Sequence, residues 1–112
     1  MNTKETIWDK DAVMQRIDND EELLTELIEY FAGTIDEKVD QIHIELSRQN
    51  WESTRLYAHT VKGMLANIGG KKAQQAAQQV EDTAKNNNLE KCTEQMAVLR
   101  KEIAALKKTL EN

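Results

Sequence analysis

The chain has 112 residues, 31% of them charged, no proline and a formal net charge of −5. The interspersed, mildly acidic charge excludes the basic footprint of a nucleic-acid binder, and no apolar run approaches the roughly 20 residues of a membrane span. Cys92 stands alone, which excludes a disulfide framework and a cysteine zinc site and fits a reducing cytoplasm.

A chain of this length reads as one domain, residues 1–112, with its core between about 9 and 110. Ala, Leu, Glu, Gln and Lys are abundant, which favours helix throughout. There is no internal repeat and no signal-peptide apolar region. Residues 1–6 are polar and read as a loose start. A short helix is predicted from Lys10 to about Ile17, capped by Asp9, with Trp8 and Val13 as a hydrophobic staple across the cap.

The second helix is predicted to open near Asn19 or Asp20, where Asn19-x-x-Glu22 resembles a capping box. Leu23, Leu24, Leu27, Ile28, Phe31, Ile35, Val39, Ile42 and Leu46 form one stripe that ends near Arg48. The stripe keeps its phase through Gly33, so it reads as one helix with room for a bend. Gln49-Asn50 forms a corner with Asn50 as the cap of a third helix, Trp51 to about Ile68. Trp51, Thr54, Ala58, Val61, Leu65 and Ile68 are its buried stripe. Gly69-Gly70 ends it, in the usual C-terminal role of glycine.

The fourth helix is predicted over Lys71–Lys85, with Ala73, Ala76, Ala77, Val80 and Ala84 inward. Such small residues let neighbouring helices approach closely. Asn86-Asn87-Asn88 is the next turn, with Asn88 capping a last helix. There Leu89, Cys92, Met96, Leu99, Ile103, Leu106 and Leu110 recur at the spacing of left-handed bundle packing. Short loops between long helices imply antiparallel neighbours. The expected fold is all-α, an antiparallel up-down four-helix bundle with a short additional N-terminal helix.

The third helix carries the chemistry. On its wheel His59 lies roughly 130° from the centre of the buried stripe, from the 3.6-residue turn. Lys62 and Gly63 follow at i+3 and i+4, the two positions that share a helical face with His59. Lys62 sets a positive charge beside the imidazole. Gly63 removes a side chain there, against a helix cost of about 1 kcal/mol relative to alanine. Together they describe an accessible ring nitrogen with room for a bulky anion or a docking protein. Arg55, Leu56, Thr60, Gly63, Met64, Ala66 and Asn67 line the exposed arc around it, with Leu56 the best contact candidate because it is apolar and off the stripe.

The other candidates are weaker. His43, with Asp40 three residues before it, makes no metal site, and the Glu-x-x-His pairs of di-iron bundles are missing. Cys92 falls in the apolar stripe and reads as a core thiol. No Walker-type glycine loop is present, so no nucleotide site is expected.

The run His59-x-x-Lys62-Gly63, followed by Asn67-Ile68-Gly69, resembles the signature of histidine phosphotransfer domains, the helical carriers of two-component phosphorelays. The resemblance covers nearly the whole chain: Asp20-Glu21-Glu22-Leu23-Leu24 opening a long helix, Phe31 within it, Asn50-Trp51 before the motif and Val80-Glu81 in the next helix. Met64 and Leu65 stand where small residues are usual, and Ala73 where a larger aliphatic is common; these bear on packing and partner choice.

The resemblance implies a phosphocarrier without kinase activity. It would take a phosphoryl group from a receiver-domain aspartate on His59, through Nε2, and pass it to another. Lys62 would hydrogen-bond the phosphoryl oxygens and Gly63 would give steric access. Asn67 and Gly69 match the family but read as structural. Glu81 matches a position that holds a polar residue near the histidine; it reads first as a solvated surface acid, with an orienting hydrogen bond as the alternative. No cofactor is implied in this chain, magnesium being held by the receiver's carboxylates. The implied partners are receiver domains of response regulators or hybrid kinases, and the implied form is a cytoplasmic monomer, free-standing or a module of a membrane-anchored hybrid kinase. A helical adaptor that has lost the use of His59 is one rival reading. The phosphoacceptor domain of a histidine kinase is another, disfavoured because Thr60 follows His59 where that class has an acid.

Overall fold

Five helices run in chain order through the computed structural model, which describes residues 6–111. They are α1 Lys10–Arg16, α2 Glu21–Ser47, α3 Trp51–Ile68, α4 Lys71–Lys85 and α5 Leu89–Leu110. The four long helices each pack on the next, α5 closes back on α2 more lightly, and α1 lies across α2 and α3. At 1.5 Å per residue, the 27 residues of α2 span about 40 Å, and the molecule's longest extent is 42 Å.

The caps follow from short polar side chains placed where helix N–H groups are unpaired. Asp9 accepts from the Ala12 N–H at 3.2 Å and pairs with Lys71 at 3.1 Å. The Ala12 N–H first, and then Lys71, hold its carboxyl below the usual range. Asn88 caps α5 through the Lys91 N–H at 3.0 Å.

Two caps differ from expectation. Asn19 does not cap α2; it and Asp18 both take left-handed backbone to reverse the chain after α1. The cap therefore moves one residue on, to Asp20, whose side chain accepts from the Leu23 N–H at 3.0 Å. Asn50 stands at the cap of α3 but makes no side-chain bond there. Its carbonyl instead receives both the N–H and the hydroxyl of Thr54, which satisfies that fully buried hydroxyl.

Of the polar start, residues 1–5 lie outside the described range. The Thr6 carbonyl is tied down, accepting from the Lys72 N–H at 3.1 Å. Trp8 donates its indole N–H to the Ile68 carbonyl at 2.9 Å and packs on the cluster of Val13, Met14 and Leu24.

The main core draws on α2 to α5: Phe31, Ile35, Val39, Ile42 and Leu46 face Ala58, Val61, Leu65 and Ile68, with the alanines of α4 and the Cys92–Leu106 stripe completing it. Leu23 and Leu89 are not in it. Both are exposed: Leu23 lies off the side on which Leu24, its neighbour in the same turn, is buried, and Leu89 borders the open groove between α2 and α5. Trp51 and Leu110 are half-buried at the bundle ends.

Gly69 closes α3 in the left-handed conformation at φ 81°. A Cβ there would sit 2.8 Å from both the Asp9 carbonyl and Val13 Cγ2. The glycine thus lets α1 seat against the end of α3, where Asp9 N–H donates to the Gly69 carbonyl at 2.8 Å. This fixes the phase of α3, and with it the direction in which His59 points.

Candidate functional site

His59 lies at the middle of α3, away from the bundle ends, with 63% of its side chain exposed. The stripe Thr54, Ala58, Val61, Leu65 and Ile68 is fully enclosed on the opposite face. Burial of that stripe turns the imidazole toward α4.

Glu81 of α4 meets it. Glu81 Oε2 lies 3.2 Å from His59 Nδ1, and Oε1 lies 2.9 Å from Lys62 Nζ. The Glu81 side chain is only 12% exposed, so the reading of a solvated surface acid is overturned; packing of α4 on α3 encloses it. Burial by itself would raise the carboxyl, but the Lys62 ammonium and then the His59 ring outweigh burial and hold it below its ordinary range. Glu81 is therefore an anion at neutral pH. An ionised carboxylate only accepts hydrogen bonds, so Nδ1 carries the proton. In a neutral ring that leaves the Nε2 lone pair unprotonated.

Lys62 is no free surface lysine either, its side chain being 22% exposed. It donates to Gln78 Oε1 at 2.9 Å, and Gln78 donates in turn to Asp82 Oδ1 at 2.9 Å. Toward Glu81 Oε1, which makes no directed hydrogen bond, the ammonium acts as a neighbouring charge. Gln78 and Asp82 escaped the sequence reading. Their only signal was polar residues one turn apart on a helix whose other face is alanine, and their meaning depends on the α3–α4 register.

Gly63 is exposed, and a Cβ there would meet nothing within 4 Å. The fold gives no packing reason for a glycine at this point. Around it, Leu56, Thr60 and Asn67 are exposed as expected. Arg55, Met64 and Ala66 are half-buried, a correction to their placement on the open arc, because α2 and α4 flank α3 closely on both sides. Met64, Asn67 and Ile68 instead line an apolar recess of about 160 Å³ together with Leu27, Tyr30 and Phe31 of α2. Arg16 of α1 donates to the Asn67 carbonyl at 2.8 Å and steadies that end of the surface.

His43 is elsewhere. It borders a groove between α2 and α5, and Asp40 is engaged by Arg100 at 3.2 Å. Among the described residues no group of three His, Cys, Asp or Glu side chains is placed to hold a metal ion. Nor is any described helix long and apolar enough to cross a membrane.

An exposed imidazole with a fixed proton, a tethered cation one turn away and a bare helix surface beside it is a nucleophile arranged for an anionic electrophile. The sequence profile of the Hpt domain matches residues 26–109, a span that holds all of these groups. The chain belongs to the Hpt domain family. It is a histidine phosphotransfer protein of a phosphorelay, in a family of phosphotransfer proteins and not of kinases. Receiver domains are the kind of partner that family implies.

The fold agrees. The histidine-containing phosphotransfer protein B (HptB) from Pseudomonas aeruginosa PAO1 is similar with a TM-score of 0.86, at 18% identity over 94% of this chain and 91% of that one. The histidine-containing phosphotransfer protein ZmHP2 from maize is similar with a TM-score of 0.81, at 19% identity over 94% of this chain and 80% of that one. At such identities the likeness is one of fold. No curated protein sequence matches the chain.

Proposed function

We propose that His59 is the phosphoryl acceptor of this Hpt domain and that its Nε2 is the attacking atom. The observation that carries this is the Glu81 contact: a half-buried anion 3.2 Å from Nδ1 favours the ring proton on that nitrogen and leaves the outer one free. In the forward step the Nε2 lone pair forms the N–P bond. The P–O bond to a receiver's aspartate breaks, and its electron pair leaves with the carboxylate. The ring then carries a positive charge, shared with the Nδ1 proton on Glu81. Delivery is the reverse: an aspartate oxygen attacks phosphorus and the N–P pair returns to Nε2. Lys62 supplies charge-assisted hydrogen bonds to the phosphoryl oxygens.

The receiver docks over Gly63 and Leu56, with Thr60 and Asn67 beside them and Arg55, Met64 and Ala66 at the edges. Leu56 is 52% exposed on the same helix as His59, and Tyr30 borders the apolar recess that Met64 and Asn67 line.

Loading the protein from aspartyl-phosphorylated receiver domains and mapping the label tests the assignment. The expected product is acid-labile, alkali-stable phosphate on the peptide that carries His59. Label on a peptide without His59 would overturn it.

A further inference from the structure

The geometry points to Gln78 as a positioning residue for phosphoryl transfer, acting through Lys62 and set by Asp82. The inference rests on the reading of His59 and Lys62 given above. Lys62 donates to Gln78 Oε1 at 2.9 Å, and Gln78 Nε2 donates to Asp82 Oδ1 at 2.9 Å. An ammonium only donates and a carboxylate only accepts. Gln78 between them therefore has a single amide orientation, with oxygen to the lysine and nitrogen to the aspartate.

This arm has two consequences. A lysine has three N–H donors; among the described residues Lys62 hydrogen-bonds only Gln78 and meets Glu81 as a neighbouring charge, so donor capacity is left for an incoming oxyanion. Gln78 also draws the ammonium to one side of Glu81. The carboxylate is then divided, Oε1 facing Lys62 and Oε2 facing His59. Without Gln78, the ammonium is free to swing across both oxygens and compete with Nδ1. Being neutral, the amide achieves this without adding negative charge beside the phosphoryl group. A long, flexible side chain that is held in advance loses less entropy when the anion arrives.

The test is phosphoryl transfer between an aspartyl-phosphorylated receiver domain and four variants. Gln78→Met keeps length, helix propensity and charge but removes the acceptor; transfer is expected to slow about tenfold, the order associated with one hydrogen bond to a charged group. The pair Gln78→Glu with Asp82→Asn keeps an acceptor for Lys62 and reverses only the bond between positions 78 and 82, but it moves the negative charge beside the phosphoryl group, and transfer is expected to stay about threefold or more below wild type at unchanged net charge. In a Lys62→Ala background, Gln78→Met should cost nothing further. A wild-type rate for Gln78→Met, or a full loss that persists in the Lys62→Ala background, overturns the positioning role while leaving the His59 assignment standing. If the wild-type protein loads nothing from any receiver, the reading of His59 falls and this inference falls with it.

Discussion

Glu81 Oε2 sits 3.2 Å from His59 Nδ1 while its other oxygen sits 2.9 Å from Lys62 Nζ, so a single carboxylate joins the two side chains of the motif across the α3–α4 contact. The link has a consequence for stability. Glu81 is held below the ordinary carboxyl value of 4.5, burial opposing and Lys62 and His59 prevailing. A carboxyl depressed on folding contributes stability that is present above its unfolded value and is lost as pH falls through the folded one.

Glu81→Gln should therefore destabilise the protein at pH 7. The difference between variant and wild type should shrink as pH falls from about 4.5 downward. Urea unfolding at both ends of that range checks it. Taking the difference cancels Asp9, whose carboxyl is depressed in the same direction. A difference that stays constant with pH would mean that Glu81 is not ionised against Lys62 in the folded state.

Two glycines should respond in opposite directions to alanine. Gly69 is left-handed at φ 81°, with Asp9 and Val13 atoms 2.8 Å from any Cβ, so Gly69→Ala should cost about 2 kcal/mol or more. Gly63 is helical with open space around it, so Gly63→Ala should stabilise by about 0.5–1 kcal/mol. Gly63→Leu should fold equally well yet slow phosphoryl transfer strongly, since the obstruction falls on the partner. Thermal melts and transfer assays on the same three proteins separate these effects.

The helix set was legible because the apolar stripes of α2 to α5 each keep one phase, and the helix bounds follow from them almost to the residue. The caps were less so. Whether Asn19 or Asp20 opens α2 depends on how the chain reverses after α1, which the local sequence does not specify. Leu23 and Leu89 continue their stripes in sequence but stay exposed, Leu23 beside a buried Leu24 and Leu89 at the edge of an open groove. At the site, His59, Lys62 and Gly63 could be placed on one face by counting along a single helix. Glu81, Gln78 and Asp82 act across two helices, and the axial offset of α4 against α3 is set by close packing of alanines. That packing has no signature in the local pattern.

Leu56 should matter for docking alone. It is 52% exposed, so Leu56→Asp should leave helicity and melting temperature nearly unchanged and weaken receiver binding about tenfold or more. Calorimetric titration with a receiver that loads His59 measures it, and unchanged affinity would remove Leu56 from the docking surface.

The most direct measurement is phosphoryl transfer from a labelled receiver domain to wild type, His59→Gln and His43→Gln side by side. Both histidines are exposed, so both variants should remain folded and differ only in the nucleophile removed. The expected result is full label on wild type and on His43→Gln, and none on His59→Gln. Label that persists on His59→Gln, or vanishes with His43→Gln, would contradict the assignment of His59 as the phosphoryl acceptor.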